Sequence, residues 1–325
     1  MRCNNCRYQF VFHKKQDPIS DYALRQLIQR LSDHGQLSFT ATQLALEICR
    51  FWRKKILGPI GCGIIALVIG AFVGLFVAGI WEWWGGILIP VVVVLPLAIG
   101  LSRKEKSKLA FGKARTLVNR YHQAHPIQAL ANGTAFRDRS ALPEPFDPHY
   151  APERILIVER DELVDMLIRN RFHLSHKAVV VSSSGYPESV FSACQGFLRN
   201  HPDTPVQLIH DASLQGFALA SQLAADPKWA FARQQMIDLG IPQSALQDNH
   251  VLPWLPSSYP TQADGTFSAR HMQQLSAGYR MPLDHIGPKS LMGLLGAAVV
   301  VGGSWLLVPA ALSTASGMEA EVDYG

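Results

Sequence analysis

Arg154-Ile155-Leu156-Ile157-Val158-Glu159 decides how the middle of this chain folds. Four aliphatic residues in a row, three of them β-branched, leave no polar alternation for a wet face. The run therefore reads as a strand buried on both sides and ending in a carboxylate. Working outward, Asp161 to Asn170 predicts a helix, and Lys177-Ala178-Val179-Val180-Val181 a second strand running into Ser182-Ser183-Ser184-Gly185-Tyr186-Pro187. A helix to Leu198 leads to a third strand, Val206 to Ile209, which ends at His210-Asp211-Ala212-Ser213 and is followed by a helix from Leu214 to Ala224. Short aliphatic strands alternating with helices mean βαβ units and an α/β fold with a parallel sheet.

In such sheets ligands bind in the crevice beyond the carboxyl ends of the strands. Glu159, the turn with Ser184 and Gly185, and the run His210, Asp211, Ser213 all fall there. Glu159 and Asp211, arriving from different strands, could share a hard cation such as Mg²⁺ and act as a catalytic pair. Equally, each could do no more than cap the helix that follows it, because helix N-termini favour acidic groups. His210 could serve as a base or a phosphate contact, or be purely structural. The residues alone leave these alternatives open.

The order of these motifs resembles the Toprim domain of topoisomerase VI A subunits and the related meiotic double-strand-break transesterases. That family runs VEK, then GKGYPD, then DADPxG. This chain has Val158-Glu159-Arg160, Ser183-Ser184-Gly185-Tyr186-Pro187-Glu188 and Asp211-Ala212-Ser213-Leu214-Gln215-Gly216, with Leu239-Gly240-Ile241-Pro242 similar to the segment after the sheet. The resemblance implies a Toprim-like domain over 153–262, with Glu159 and Asp211 in the roles of the glutamate and first aspartate that manage Mg²⁺. The departures point away from cleavage. Ser213 stands where the second aspartate would be, and Ser184 where the lysine would be. Neither Tyr121 nor Tyr150 has the Arg-x-x-Tyr-Tyr setting of the nucleophile.

Composition directs the rest. The chain is 48% hydrophobic and only 17% charged, below the roughly 25% charged of ordinary soluble domains. The net charge of +5 is uneven: residues 1–55 and 101–122 each sum to +6, so the remainder sums to −7. Ile56 to Trp81 and Gly86 to Leu101, joined by Glu82 and a Trp83-Trp84 turn, read as a transmembrane hairpin over 56–101, since about 20 apolar residues cross a ~30 Å core. Basic residues flank both outer ends, among them Arg53, Lys54, Lys55, Arg103 and Lys104. Leu291 to Leu312 is a third apolar run, giving a third transmembrane helix over 290–312 and an acidic exterior tail at 313–325. The positive-inside rule then predicts a multi-pass inner-membrane protein with a cytoplasmic N-terminus and α/β domain. The alternative is that one of the weaker runs, the second above all, is a buried core helix. Gly70 and Gly74 have the spacing for close helix approach, so a homo-oligomer or a protein partner in the bilayer is expected. The basic clusters suffice to set topology and attract lipid. With no dense basic stripe over the sheet region, nucleic acid is a disfavoured partner.

Residues 1–55 hold a CxxC, Cys3 and Cys6, two candidate Zn ligands in a zinc-knuckle-like setting. A full site needs four ligands; His13 and His34 could complete it, or a second chain could supply its own pair, and two inert cytosolic thiols are the alternative. Ser20 can cap a helix with Leu24, Leu27, Ile28 and Leu31 on one face and Gly35 at its end. Thr40 and Gln43 have the spacing of a capping box opening a second helix. A basic juxtamembrane helix and Pro-rich linker occupy 102–152. The connecting segment 263–289 carries no recognisable chemistry. The expected function is a non-cleaving Toprim-like domain that binds a ligand or partner as a scaffold or signalling element. The alternatives are a Mg²⁺-dependent nuclease or phosphotransfer enzyme built on Glu159 and Asp211, and an assembly protein without a ligand.

Overall fold

The computed structural model describes residues 7–13, 16–52, 110–137, 152–229, 231, 235–243, 254–256 and 269–303. They pack as two compact units, Met1–Leu27 with Ala45–Pro126, and Ile28–Leu44 with Ile127–Gly325.

In the first unit, α1 (Asp21–Leu31) begins at a buried aspartate. Asp21 accepts hydrogen bonds from the backbone N–H of Val11 (3.0 Å) and Phe12 (3.1 Å), tying the preceding loop to the helix start. Tyr8 stacks on His125 at 4.7 Å, and Arg120 pairs with Asp17 at 2.6 Å.

The second unit includes β1 (Phe39–Thr40), which is followed by a helix over 41–52, α2, whose residues from Ala45 on belong to the first unit. Thr40 Oγ1 accepts from Gln43 N–H (3.1 Å) and Gln43 Oε1 from Thr40 N–H (2.9 Å), a reciprocal capping box. In the first unit again, the basic helix is α3 (Phe111–Ala124), which buries Ala114, Leu117, Val118 and Tyr121. β2 (Leu130–Ala131) then pairs in parallel with β1.

The main sheet is built from β3 (Arg154–Val158), β4 (Ala178–Ser182), β5 (Val206–Ile209) and β6 (Met236–Asp238), all parallel, in the order β4-β3-β5-β6. Leu156 lies opposite Val180 on one side and Gln207 on the other. Because β3 is central, the chain leaves it toward β4 and then crosses to β5. The carboxyl ends of β3 and β5 therefore flank a topological switch point. Ile155 and Ile157 face one apolar layer and Leu156 and Val158 the other, which explains the unbroken aliphatic run. One face is covered by α4 (Asp161–Arg169) and α5 (Phe172–Ser175). The other is covered by α6 (Glu188–Asn200) and, after the single turn α7 (Leu214–Phe217), by α8 (Leu219–Ala225) with Trp229.

The C-terminal part corrects the membrane assignment. After β7 (Leu255–Pro256), α9 (Ala269–Ser276), β8 (Tyr279–Arg280) and a 3₁₀ turn (Leu283–His285), the chain forms α10 (Pro288–Val301). This is the helix expected to be the third transmembrane span. It has 14 residues and stops at Gly302, whose φ of 72° is left-handed. Its length is about 21 Å, against the ~30 Å of a hydrocarbon core. Leu291, Leu295, Ala298 and Val299 are buried against the sheet layer of Leu156 and Val158. Arg154 and Gln207 reach from the sheet to donate to the Val299 carbonyl at 2.9 and 2.8 Å. The apolarity of this segment is thus spent on a protein core. Among the described residues no helix is long and apolar enough to cross a membrane. The expectation of three transmembrane helices in a multi-pass inner-membrane protein is corrected accordingly. The hairpin expected over 56–101 and the tail over 313–325 lie outside the described residues.

Candidate functional site

The carboxyl ends of the strands bring together residues far apart in sequence. Glu159 leaves β3 and Asp211 follows β5, and the two are bound directly: Asp211 N–H donates to Glu159 Oε2 at 2.8 Å. Ser213 donates its hydroxyl to Glu159 Oε1 at 3.1 Å while accepting from Gly216 N–H at 2.8 Å. Ser213 thus caps α7 and braces Glu159 at once. Asp211 itself is fully buried. Arg160, the residue just before α4, lies 3.0 Å from Asp211 Oδ2 through Nε, and its Nη2 is 3.3 Å from Oδ1. Arg280, at the end of β8, donates to Oδ2, and the Leu283 N–H donates to Oδ1 at 2.9 Å. Arg160 also pairs with Asp284 and, at 3.1 Å, with Glu162, and Thr40 donates its hydroxyl to Asp284.

The charges follow from this packing. Burial alone would raise the Asp211 carboxyl, but the guanidinium groups of Arg160 and Arg280 and the Leu283 N–H outweigh it and hold that carboxyl below the ordinary aspartate value. Glu159 is raised, first by burial and then by the Asp211 carboxylate beside it. Arg160 is held charged by Asp211, Asp284 and Glu162 against its own burial.

His210 points away from this network. Its ring is buried, with Nδ1 2.7 Å from the Asp211 carbonyl and Nε2 2.9 Å from Asp238 Oδ1 at the end of β6. On the β4 side, Ser184 is exposed, donates to Asp161 Oδ1 at 3.0 Å and meets Ser182 Oγ at 2.7 Å. Gly185 has a φ of +89°, and a Cβ there would come within 3.1 Å of the Phe191 ring. Ser184 and Gly185 therefore shape the turn and make no contact with Glu159 or Asp211 in this network.

These residues do not fit a divalent cation. Both oxygens of Asp211 accept from guanidinium or backbone donors, and both oxygens of Glu159 accept from N–H or O–H. A cation would have to displace two arginines and the donors on Glu159 to gain two carboxylates and one neutral serine hydroxyl, whereas Mg²⁺ demands a near-octahedral oxygen shell. Among the described residues no group of three or more histidine, cysteine or acidic side chains could hold a metal ion. The expectation of a metal-binding protein is corrected to that extent: among the described residues no such group is found, and the oxygens of Glu159 and Asp211 are already engaged by these donors. Cys3 and Cys6, the candidate Zn ligands, lie outside the described residues.

Three participants were not found by reading the sequence. Arg160 sits inside the quoted Val-Glu-Arg motif, yet nothing local says that its side chain turns back onto Asp211. Arg280 and Asp284 lie in the stretch read as devoid of chemistry, about seventy residues after Asp211. The only signal for them was an unpaired charge excess, because a buried carboxylate demands a cation somewhere. Neither the family models, the curated proteins nor the solved structures compared with this chain include a match.

Proposed function

We propose that the α/β domain is a Toprim-like module that does not cleave nucleic acid and serves as a partner-binding scaffold. One observation carries this reading: the buried carboxylate of Asp211 is fully engaged by Arg160, Arg280 and the Leu283 N–H. An aspartate that served metal-dependent phosphoryl chemistry would need oxygens free for the cation. Ser213 in place of a second acid supports the same conclusion. The partner class is protein rather than phosphate. Leaving aside Glu159, whose carboxyl is raised, the three carboxylates Glu162, Asp211 and Asp284 face two guanidiniums, so the cluster carries surplus negative charge that disfavours a phosphodiester backbone.

The test uses the full chain. Titration with Mg²⁺ and Mn²⁺ by calorimetry, together with incubation with single- and double-stranded DNA, is expected to give no saturable uptake at this site and no cleavage. Metal-dependent cleavage that disappears in both Glu159→Gln and Asp211→Asn would overturn the proposal in favour of a nuclease or phosphotransfer enzyme. Light scattering across a concentration series tests a second copy of the chain as the partner.

A further inference from the structure

His210 is used neither by the arginine network nor by the proposed scaffold role, yet its surroundings are unusually constrained. The ring is 1% exposed. It lies in a slot between two glycines: a Cβ on Gly240 would come within 2.4 Å of Nε2, and a Cβ on Gly216 within 2.7 Å of Nδ1. Larger residues at either position would expel it. Phe217 closes the slot edge-on at 5.7 Å. Both ring nitrogens face oxygens that can only accept. Nδ1 meets the Asp211 carbonyl at 2.7 Å, and Nε2 meets the Asp238 carboxylate at 2.9 Å, an ion-pair contact. A neutral imidazole carries one proton and would press a bare lone pair against one of these oxygens. The imidazolium carries a proton on Nδ1 for the Asp211 carbonyl and places its charge beside the Asp238 carboxylate, although Nε2 is not aligned for a hydrogen bond to it.

We infer that His210 is a protonation-gated latch that fixes the edge strand β6 and the turn after it against the carboxyl end of β5. The backbone contacts it secures are few. Leu239 N–H donates to the Leu208 carbonyl at 2.8 Å, and Ile241 N–H reaches the His210 carbonyl at 3.3 Å. Gly240 N–H donates to Asp238 Oδ1 at 2.8 Å, so the carboxylate that holds the ring also shapes the turn. An edge strand has neighbours on one side only, and this one is three residues long. β6 is otherwise held by its parallel ladder to β5 and by the buried Leu239 and Ile241, so the latch acts in addition to these, on the turn at Gly240.

The charged group in contact with the ring is Asp238 from β6, and Glu159 from β3 acts on it as a nearby charge without contact. Its own strand contributes the Asp211 carbonyl, and α7 contributes only Gly216 and Phe217. Arg160 and Arg280 are turned onto Asp211 and Asp284. Burial opposes protonation of His210, but Asp238, the Asp211 carbonyl and Glu159 together raise its pKa above the ordinary histidine value. Asp238 is correspondingly lowered, with His210 and the Gly240 N–H outweighing its partial burial. The latch is closed between these two limits. It opens as pH rises through the raised histidine value, and also as pH falls through the lowered aspartate value.

Hydrogen exchange of the full chain, read on peptides spanning 236–243 and corrected for intrinsic base catalysis, tests the latch. Protection there is expected to fall between about pH 6 and about pH 9, as pH passes through the raised histidine value. Peptides from β3 and β4 should not follow. Asp238 is 57% exposed in its side chain, so Asp238→Asn leaves the core intact and should move the opening to lower pH. A wild-type profile that is flat, or an unchanged midpoint in Asp238→Asn, would overturn the inference. Proton-detected nitrogen spectra of the ring are a second, direct check. Both nitrogens should carry protons at about pH 6, below the ordinary histidine value, and a singly protonated ring there would sink the latch even if the exchange data agreed. Neither result depends on whether the rim binds metal, so failure here and failure of the scaffold reading are distinguishable.

Discussion

Asp211 and Asp165 are both fully buried carboxylates in the same α/β unit, but the fold neutralises them by opposite means. Asp211 is held by two guanidiniums and a single backbone N–H. Asp165, on the inner face of α4, is held by neutral donors instead. Its Oδ2 accepts from the N–H groups of Gly133 (2.8 Å), Thr134 (3.1 Å) and Ala135 (3.1 Å), and its Oδ1 from the Tyr186 hydroxyl at 2.5 Å. Tyr186 in turn accepts from Phe136 N–H at 2.7 Å. The first aspartate joins distant parts of the chain through charge. The second folds one loop, 133–136, through the backbone. A buried acid therefore does not by itself indicate a reactive site, and what neutralises it indicates its use.

The comparison is broken most directly at Asp211. Asp211→Ala leaves Arg160 and Arg280 buried without their shared counter-ion, and loss of one partner of a buried ion pair costs about 3–5 kcal/mol. Urea unfolding of the full chain should show a loss of that size. Replacing Asp211, Asp284, Arg160 and Arg280 together with apolar residues of similar volume should recover most of it, because the desolvation cost disappears with the charges. If this fourfold replacement were as unstable as Asp211→Ala, the network would be contributing more than charge balance.

Asp165→Ala comes next. It leaves three N–H groups and a hydroxyl without their acceptor, and an orphaned buried donor costs about 1–3 kcal/mol, reduced where water can enter. Tyr186→Phe removes only the hydroxyl bridge, so about 1 kcal/mol is expected. The diagnostic is spatial. Both variants should loosen exchange at 133–136 and leave 281–286 protected, and Asp211→Ala should do the reverse. Equal loosening of both segments in either variant would mean that the two aspartates belong to one cooperative network.

How much of this was legible in the sequence depends on whether the information was local. The strand pattern of Ile155 to Val158 and the aliphatic runs at Val179 and Val206 specify a parallel sheet because buried strands need apolar residues on both faces. The capping box of Thr40 and Gln43 was readable for the same reason: its partners are three residues apart. Glu159, His210, Asp211 and Ser213 were correctly expected at strand ends, but their chemistry was not, since it depends on Arg280 and Asp284 returning from the C-terminal segment. The apolar stretch starting at Leu291 was misread because a helix covering a two-faced sheet and a membrane span have the same composition. Length and the glycine at 302 distinguish them, and only packing shows which surface the helix meets.

Stability against pH sharpens the same contrast. Asp211 is lowered in the folded state, so its contribution is present above the ordinary aspartate value of 3.8 and is lost as pH falls through the lowered one. His210 is raised, so its contribution is full below its ordinary value of 6.5 and is lost as pH rises through the raised one. Wild-type stability should decline on both sides of this window. Asp211→Asn should remove the acid-side dependence attributable to this network, leaving the basic side as it was. An acid limb that is unchanged in Asp211→Asn would transfer that dependence to other carboxylates.

The smallest effect is expected at Glu159, and it separates the two acids that looked equivalent in sequence. Glu159 is raised by burial and by the neighbouring Asp211 carboxylate, so its neutral form is less costly than that of Asp211. Glutamine imitates that neutral form. It keeps one oxygen to accept from Asp211 N–H, and the Ser213 hydroxyl can turn to accept from the new amide, since hydroxyls both donate and accept. Glu159→Gln should therefore change unfolding free energy by less than about 1 kcal/mol, the scale of one hydrogen bond to a neutral group. It should also ease the like-charge strain on Asp211, lowering that carboxyl further. A loss comparable to that of Asp211→Ala would mean that ionised Glu159 is a full member of the charge network, and that the rim is balanced by Arg160 acting on both acids rather than on Asp211 first.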